Sequence, residues 1–289
     1  FFIYGGNMNI NWYPGHMKKT KESIKKSLSL VDIVYEVIDA RIPFSSQNPD
    51  IDKILGNKPR LIILNKSDLA DCESNRKWQD YFKRKGGSSV LVDCIKNKGL
   101  EEVVTSSYKL TEERRKNQAK KGIKNRPIRV MIVGIPNVGK STLINSLSKR
   151  RGTRVGNRPG VTKANQWVRI RGDLELLDTP GVLWPKFEDK DVGLNLAFTG
   201  AIKDELLDIE NLAVKLIEKL NLISKTFIEE RYNILVEDKS PYDILVEIGQ
   251  RRGCVIRGGE IDFAKASYII LDEFRKGVLG RISLELPEL

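Results

Sequence analysis

The sequence predicts an α/β chain in two parts: a mostly parallel sheet with helices on both faces, then a small all-helical domain. Three observations carry this. Short apolar runs rich in β-branched residues alternate with helical stretches through the first two-thirds of the chain. A glycine-bearing loop from Gly134 to Ser141 stands between one such run and a helix. After about Phe187 the pattern turns helical.

In order, strands are predicted at 31–39 (VDIVYEVID), 61–64 and 90–92, each followed by polar loop residues. Helices are predicted at 50–55 and 74–85, then a long one over 100–121 that ends in a basic tract closed by Gly122 and Pro127. That tract bridges two halves of the sheet domain. The strand 128–133, the helix 141–147 and a strand pair at 166–171 and 174–177 complete it. Helices at 206–220, 242–250 and 263–275 make up the second domain. The expected boundaries are 8–186 and 187–289, with Phe1 to Asn7 preceding a start at Met8 and given no function.

The 289 residues, 40% of them apolar and 30% charged, suffice for one large and one small domain of a water-soluble protein. The longest apolar runs are too short to span a bilayer and no signal peptide is evident, so a cytoplasmic chain without membrane contact is expected. Cys72, Cys94 and Cys254 lack metal-ligand spacing and read as reduced thiols. The net charge of +12 is uneven: residues 188–289 carry 14 Lys/Arg against 20 Asp/Glu, and the remainder 36 against 18. A field of +18 over the first two-thirds favours a polyanionic partner, nucleic acid first, with a solvated basic surface as the plainer reading.

Three motifs carry the chemistry. Gly134 to Ser141 fits G-x-x-x-x-G-K-[ST] between strand and helix, the setting that loop requires. The amides of Asn137, Val138, Gly139 and Thr142 are placed to bind phosphate oxygens, Lys140 to reach the β- and γ-phosphates, and the Ser141 hydroxyl to ligate Mg²⁺. Asn65-Lys66-Ser67-Asp68 selects the base, because a carboxylate accepts two hydrogen bonds from guanine that adenine does not offer. Asp93-Cys94 follows the next strand, where a guanine contact and a buried structural cysteine are both open readings. Asp178-Thr179-Pro180-Gly181 provides an aspartate acting on Mg²⁺ through its water shell and a Gly181 amide facing the γ-phosphate, while Thr162 completes the metal's ligands. Bound GTP or GDP with Mg²⁺ is therefore expected. The guanine-reading motif precedes the phosphate loop, whereas ordinary GTPases have the reverse order. This is the signature of a circularly permuted P-loop GTPase domain.

These motifs in this order, together with Trp12-Tyr13-Pro14-Gly15-His16-Met17 and Asp39-Ala40-Arg41-Ile42-Pro43, resemble the bacterial ribosome biogenesis GTPase A (YlqF) family. The likeness runs on through Arg251-Arg252-Gly253-Cys254 and Gly280-Arg281-Ile282-Ser283. It implies a permuted GTPase domain, a helical C-terminal domain that docks on ribosomal RNA, and a role in maturing the large (50S) ribosomal subunit. The chain is accordingly expected to hydrolyse GTP on the large-subunit precursor as a monomer. A nucleotide-gated RNA-binding module with incidental turnover is the alternative. Val182 replaces the glutamine that orients water in Ras-like enzymes, and His16 matches the family's proposed catalytic histidine. A capping role for His16 stays open. Asn137 matches the position that coordinates K⁺ in potassium-stimulated GTPases, or else simply forms the loop. Arg251, Arg252 and Arg257 are candidate RNA contacts, with a surface loop of ion pairs as the other reading.

Overall fold

The computed structural model describes residues 17–123, 126–148, 167–177 and 189–288. The chain forms two compact units: Lys18–Pro185 with Lys276–Leu289, and the helices between them. The sheet unit runs α1 (Met17–Leu28), β1 (Ile33–Asp39), α2 (Pro43–Ser46), α3 (Ile51–Leu55), β2 (Arg60–Asn65), α4 (Cys72–Arg84), β3 (Ser88–Val92), α5 (Leu100–Leu110), α6 (Glu112–Lys120), β4 (Ile128–Val133), α7 (Lys140–Leu147), β5 (Trp167–Ile170) and β6 (Leu174–Leu177). Among the described residues its six strands lie in the order β3-β2-β1-β4-β6-β5. All neighbours are parallel except β5 and β6.

Every residue of β1 is buried, Glu36 and Asp39 included, as a strand covered on both faces requires. One face carries Val34, Ile38, Ile62, Leu64, Met131 and Val133. Ile24 and Leu28 of α1, Ile51 and Ile54 of α3, and Trp78 and Phe82 of α4 pack against it. On the opposite face Tyr35 reaches α5, where its hydroxyl meets Ser107 Oγ at 2.6 Å. The permuted chain is thus a doubly covered parallel sheet with a new path between strands.

That path differs from the expected single helix over 100–121. It breaks at Thr111, whose hydroxyl donates to the Ser107 carbonyl at 2.7 Å while its backbone leaves helical geometry at φ −106°. A threonine bonded back onto the preceding turn disturbs a helix in this way. Beyond the break, α6 buries no side chain, in keeping with its all-polar sequence EERRKNQAK.

The helical unit comprises α8 (Lys190–Phe198), a 3₁₀ turn at Asp204–Leu206, α9 (Ile209–Ile223), α10 (Thr226–Tyr232), α11 (Pro241–Arg251) and α12 (Phe263–Arg275). Leu212, Leu216, Ile217 and Leu220 recur at helical spacing on α9 and are fully buried, as are Ile244 and Ile248 of α11 and Ile270 and Leu271 of α12. Asp208 caps α9, and Ser240 with Asp243 forms a reciprocal capping box ahead of Pro241 on α11. No helix among the described residues is long and apolar enough to cross a membrane.

The expected domain boundaries placed residues 187–289 in one C-terminal domain, but the last stretch, Lys276–Leu289, belongs with the sheet. Leu279, Ile282 and Leu284 are buried there. The Ile282 amide donates to the Leu69 carbonyl and the Leu284 amide to the Arg41 carbonyl, both at 2.9 Å. Apolar residues without helical spacing needed an existing surface to cover, and the sheet unit supplies it.

Leu216→Ala removes a fully buried side chain from the centre of α9. It is expected to lower stability by about 2–5 kcal/mol in urea unfolding followed by circular dichroism.

Candidate nucleotide site

Parallel pairing sets the carboxyl ends of β1 to β4 on one sheet edge, where open α/β sheets bind ligands. Asp39 is in register with Asn65, Asn65 with Val92, and Glu36 with Val133. The guanine-reading loop after β2, the Asp93 loop after β3 and the phosphate loop after β4 therefore leave the sheet together, although they are far apart in sequence.

The phosphate loop connects β4 to α7. Asn137 and Gly139 both take left-handed backbone conformations, φ 59° and 92°, and Gly139 caps α7. The loop thus ends at a helix N-terminus, whose free amides and dipole favour phosphate. Lys140 opens α7 and its ammonium donates to the Ile135 carbonyl at 2.6 Å. Burial pushes this ammonium down to about 8. Ser141 and Thr142 are exposed in the first turn of α7, and Val138 is buried.

The two reversed motifs meet in one hydrogen bond. Asn65 is buried, and its side-chain amide donates to the Val138 carbonyl of the phosphate loop at 2.7 Å. Gly139 is required beside it: a Cβ there would lie 2.2 Å from Asn65 Nδ2. The loop beyond Asn65 is fixed from several sides. Lys66 adopts φ 58°, and its ammonium rests 2.9 Å from the Asp39 carboxylate. The Ser67 amide donates to the Val92 carbonyl, and Asn75 of α4 donates to the Ser67 carbonyl at 3.0 Å. Asp68 is half-buried, close enough to Cys94 that its charge acts on the thiol.

Asp93 shapes the third loop by accepting the amides of Ile95 and Lys96 on one carboxylate oxygen. Cys94 is buried, and its carbonyl accepts the Ser146 hydroxyl of α7 at 2.9 Å. Burial first, then the charges of Asp93 and Asp68, push its thiol up to about 12. The side chain is thus held neutral within the loop.

Sequence reasoning gave no role to Asp39 or Arg41. Asp39 is buried, and its carboxylate holds the Arg41 guanidinium through Nε at 3.0 Å and Nη2 at 2.8 Å as well as the Lys66 ammonium. Burial acts to raise this carboxyl, but Arg41 and Lys66 outweigh it and hold it well below the usual carboxylate range. The available signal was an acid and a base two residues apart where the strand ends.

Arg251, Arg252 and Arg257 separate. Arg251 and Arg257 are exposed, and Arg257 sits beside Gly258 and Gly259 in the turn closed by the pairing of Val255 with Ile261. Arg252 is engaged within the helical unit, 3.0 Å from Glu273 and over the Tyr232 ring. His16, Thr162, Asp178 and Gly181 lie outside the described residues.

Gly139→Ala forces a side chain against Asn65 at a left-handed position. Its expected effect is a loss of GDP affinity of about tenfold or more with unchanged far-ultraviolet circular dichroism, measured by equilibrium titration.

Comparison with known proteins bears on this geometry. Residues 129–246, from β4 into α11, match the model of the 50S ribosome-binding GTPase family. Over 281 residues the chain is 46% identical to the ribosome biogenesis GTPase A of Priestia megaterium, covering 97% of this chain and 98% of that protein. It is 45% identical to the protein of the same name from Bacillus cereus, covering 97% and 95%. The crystal structure of GNP-bound YlqF from T. maritima matches with a TM-score of 0.66 at 28% identity, covering 93% of this chain and 99% of that one. A parallel sheet whose guanine-reading loop precedes its phosphate loop, matched along nearly its full length by these relatives, places the chain in the ribosome biogenesis GTPase A family of circularly permuted GTPases.

Proposed function

We propose that this GTPase acts as an assembly factor in late maturation of the bacterial large ribosomal subunit, hydrolysing GTP on the precursor particle. The observation that carries the nucleotide chemistry is the bond from Asn65 to the Val138 carbonyl. It aligns a guanine-selecting loop with a phosphate cradle, so one GTP engages both ends. The names of its relatives support the ribosomal setting.

In this reading Asp68 accepts the guanine N1–H and amino group, Asn65 and Lys66 shape the wall of the pocket, and loop residues Ser67, Asp93 and Cys94 border the base. The amides of Asn137 to Thr142 and of Gly181 surround the phosphates. Lys140 brings positive charge to the β- and γ-phosphates, and the partial burial of its ammonium strengthens that attraction. The Ser141 hydroxyl, Thr162 and, through water, Asp178 would supply the hard oxygen set that suits Mg²⁺. Mg²⁺ when bound neutralises charge that develops on the transferring phosphoryl group. Asn137, held in a left-handed conformation at the loop's apex, is the residue for a K⁺ beside the phosphates. His16 orients the attacking water. Arg251 and the turn-borne Arg257 grip RNA phosphates, while Arg252 braces the helix behind them through Glu273.

GTP turnover with and without purified large-subunit precursor tests the assignment. Strong stimulation is expected, and His16→Ala is expected to abolish it while particle binding persists. Equal rates with and without the particle would refute the assembly-factor reading.

Lys140 adds a pH signature. Burial pushes its ammonium down to about 8, and a bound phosphate would hold it protonated, so the affinity for GDP is expected to be greatest below that value. Between about pH 7 and pH 9 the dissociation constant is expected to rise toward tenfold per unit above the titration point. A flat profile in calorimetric titration would contradict it.

A further inference from the structure

The guanine-reading loop is gripped by a segment that none of the nucleotide motifs includes. The chain leaves α12 at Arg275 and immediately enters the terminal stretch Lys276–Leu289, which lies along the sheet unit. Arg281 reaches into the loop: its Nη2 donates to the Ser67 carbonyl at 2.9 Å and its Nε to the Ala70 carbonyl at 2.8 Å. The Ser283 hydroxyl accepts the Asp71 amide at 3.2 Å, and the Ile282 amide donates to the Leu69 carbonyl. Gly277 packs so closely that an added Cβ would lie 2.6 Å from a Leu69 methyl carbon. Loop residues 67, 69, 70 and 71 therefore each bond to this one segment.

The same segment also binds the Asp39 motif. The Leu284 amide donates to the Arg41 carbonyl. The Glu285 carboxylate accepts the Phe44 amide at 2.8 Å and the Ser45 amide at 3.1 Å, and it also bonds the Ser45 hydroxyl. Arg41 in turn is locked to the carboxylate that holds Lys66. The loop is thus enclosed between β1's Asp39 on one side and the terminal segment on the other.

We propose that residues 276–288 are a positioning strap for the guanine-reading loop, with Arg281 its principal residue and Asp39 with Arg41 its fixed anchor, so that the grip on guanine depends on this segment after α12. This rests on the guanine-nucleotide reading above. Asp68 accepts two hydrogen bonds from the base only if its backbone is set correctly, and Lys66 in the left-handed region leaves that backbone in need of external support. Arg281 is itself exposed, and its only bonds to the loop are to main-chain carbonyls, so it fixes the path of the backbone rather than contacting the base. The phosphate loop has no part in these bonds. The strap therefore acts on one end of the nucleotide.

The test compares Arg281→Ala and Arg281→Lys with the unaltered chain, using equilibrium binding of GDP and competition by inorganic pyrophosphate. Arg281→Ala is expected to weaken GDP about tenfold, with pyrophosphate affinity unchanged and melting temperature nearly so. Arg281→Lys, which retains one charged donor, is expected to recover part of the loss. Unchanged GDP affinity, or equal losses for GDP and pyrophosphate, would overturn the proposal. An unaltered chain that fails to prefer GDP over ADP would instead overturn the nucleotide reading on which it stands.

Discussion

The site depends on one buried amide. Asn65 stands at the last position of β2, and its donation to the Val138 carbonyl is the point at which two loops from separate halves of the chain become one site. The bond is possible because the carboxyl ends of β1 to β4 share an edge of a parallel sheet. Convergence there depends on strand neighbours and direction, not on the order in which the strands are made. A permutation that preserves the neighbours preserves the site, provided that a connection spans β3 to β4. The run of α5 and α6, broken at Thr111, is that connection. Its second half buries nothing, as befits a crossing segment that links strands without contributing core.

Around this bond the protein keeps several charges out of water. Asp39, Arg41 and Lys66 form a connected set in which the first two are nearly inaccessible. Burying ions is costly, and the attraction between them offsets that cost only when geometry is good and the remaining donors are occupied. The two-point contact between Arg41 and Asp39, with Lys66 on the second oxygen, meets the geometric condition. Removing Asp39 would take the shared carboxylate from both cations at once. The set therefore fixes the conformation of a loop that β-sheet bonding alone would leave to turn.

Much of this was legible from residue order. The strands announced themselves as β-branched runs, and the phosphate loop was marked by Gly134, Gly139 and Lys140, since a loop of that kind needs glycine wherever backbone meets another group. The guanine loop was marked by the spacing of Asn65 and Asp68. What the sequence concealed was of another kind. The break at Thr111 turns on a hydroxyl choosing a carbonyl, which helical periodicity does not register. The partition of Arg251, Arg252 and Arg257 turns on Glu273, twenty-one residues from Arg252, and nothing in the local run of arginines distinguishes the one that is engaged. The terminal strap escaped for the same reason: Arg281 meets Ser67 across 214 positions of sequence.

The two ends of the site are consequently built on different physical plans. The phosphate end is local, made by β4, one loop and the first turn of α7, and among the described residues its lysine has no carboxylate beside it. Burial alone depresses that ammonium. A half-buried cation without a carboxylate partner is stabilised by an arriving anion, which is why the proposed reading places phosphate at this end. The guanine end is non-local, with Lys66 already paired to Asp39 and the loop's carbonyls bonded to Asn75 and Arg281. In the proposed reading, phosphate charge drives capture at the first end, while geometry decides acceptance at the second. That geometry is assembled from β1, α4 and the segment after α12, so it depends on contacts between residues far apart in sequence.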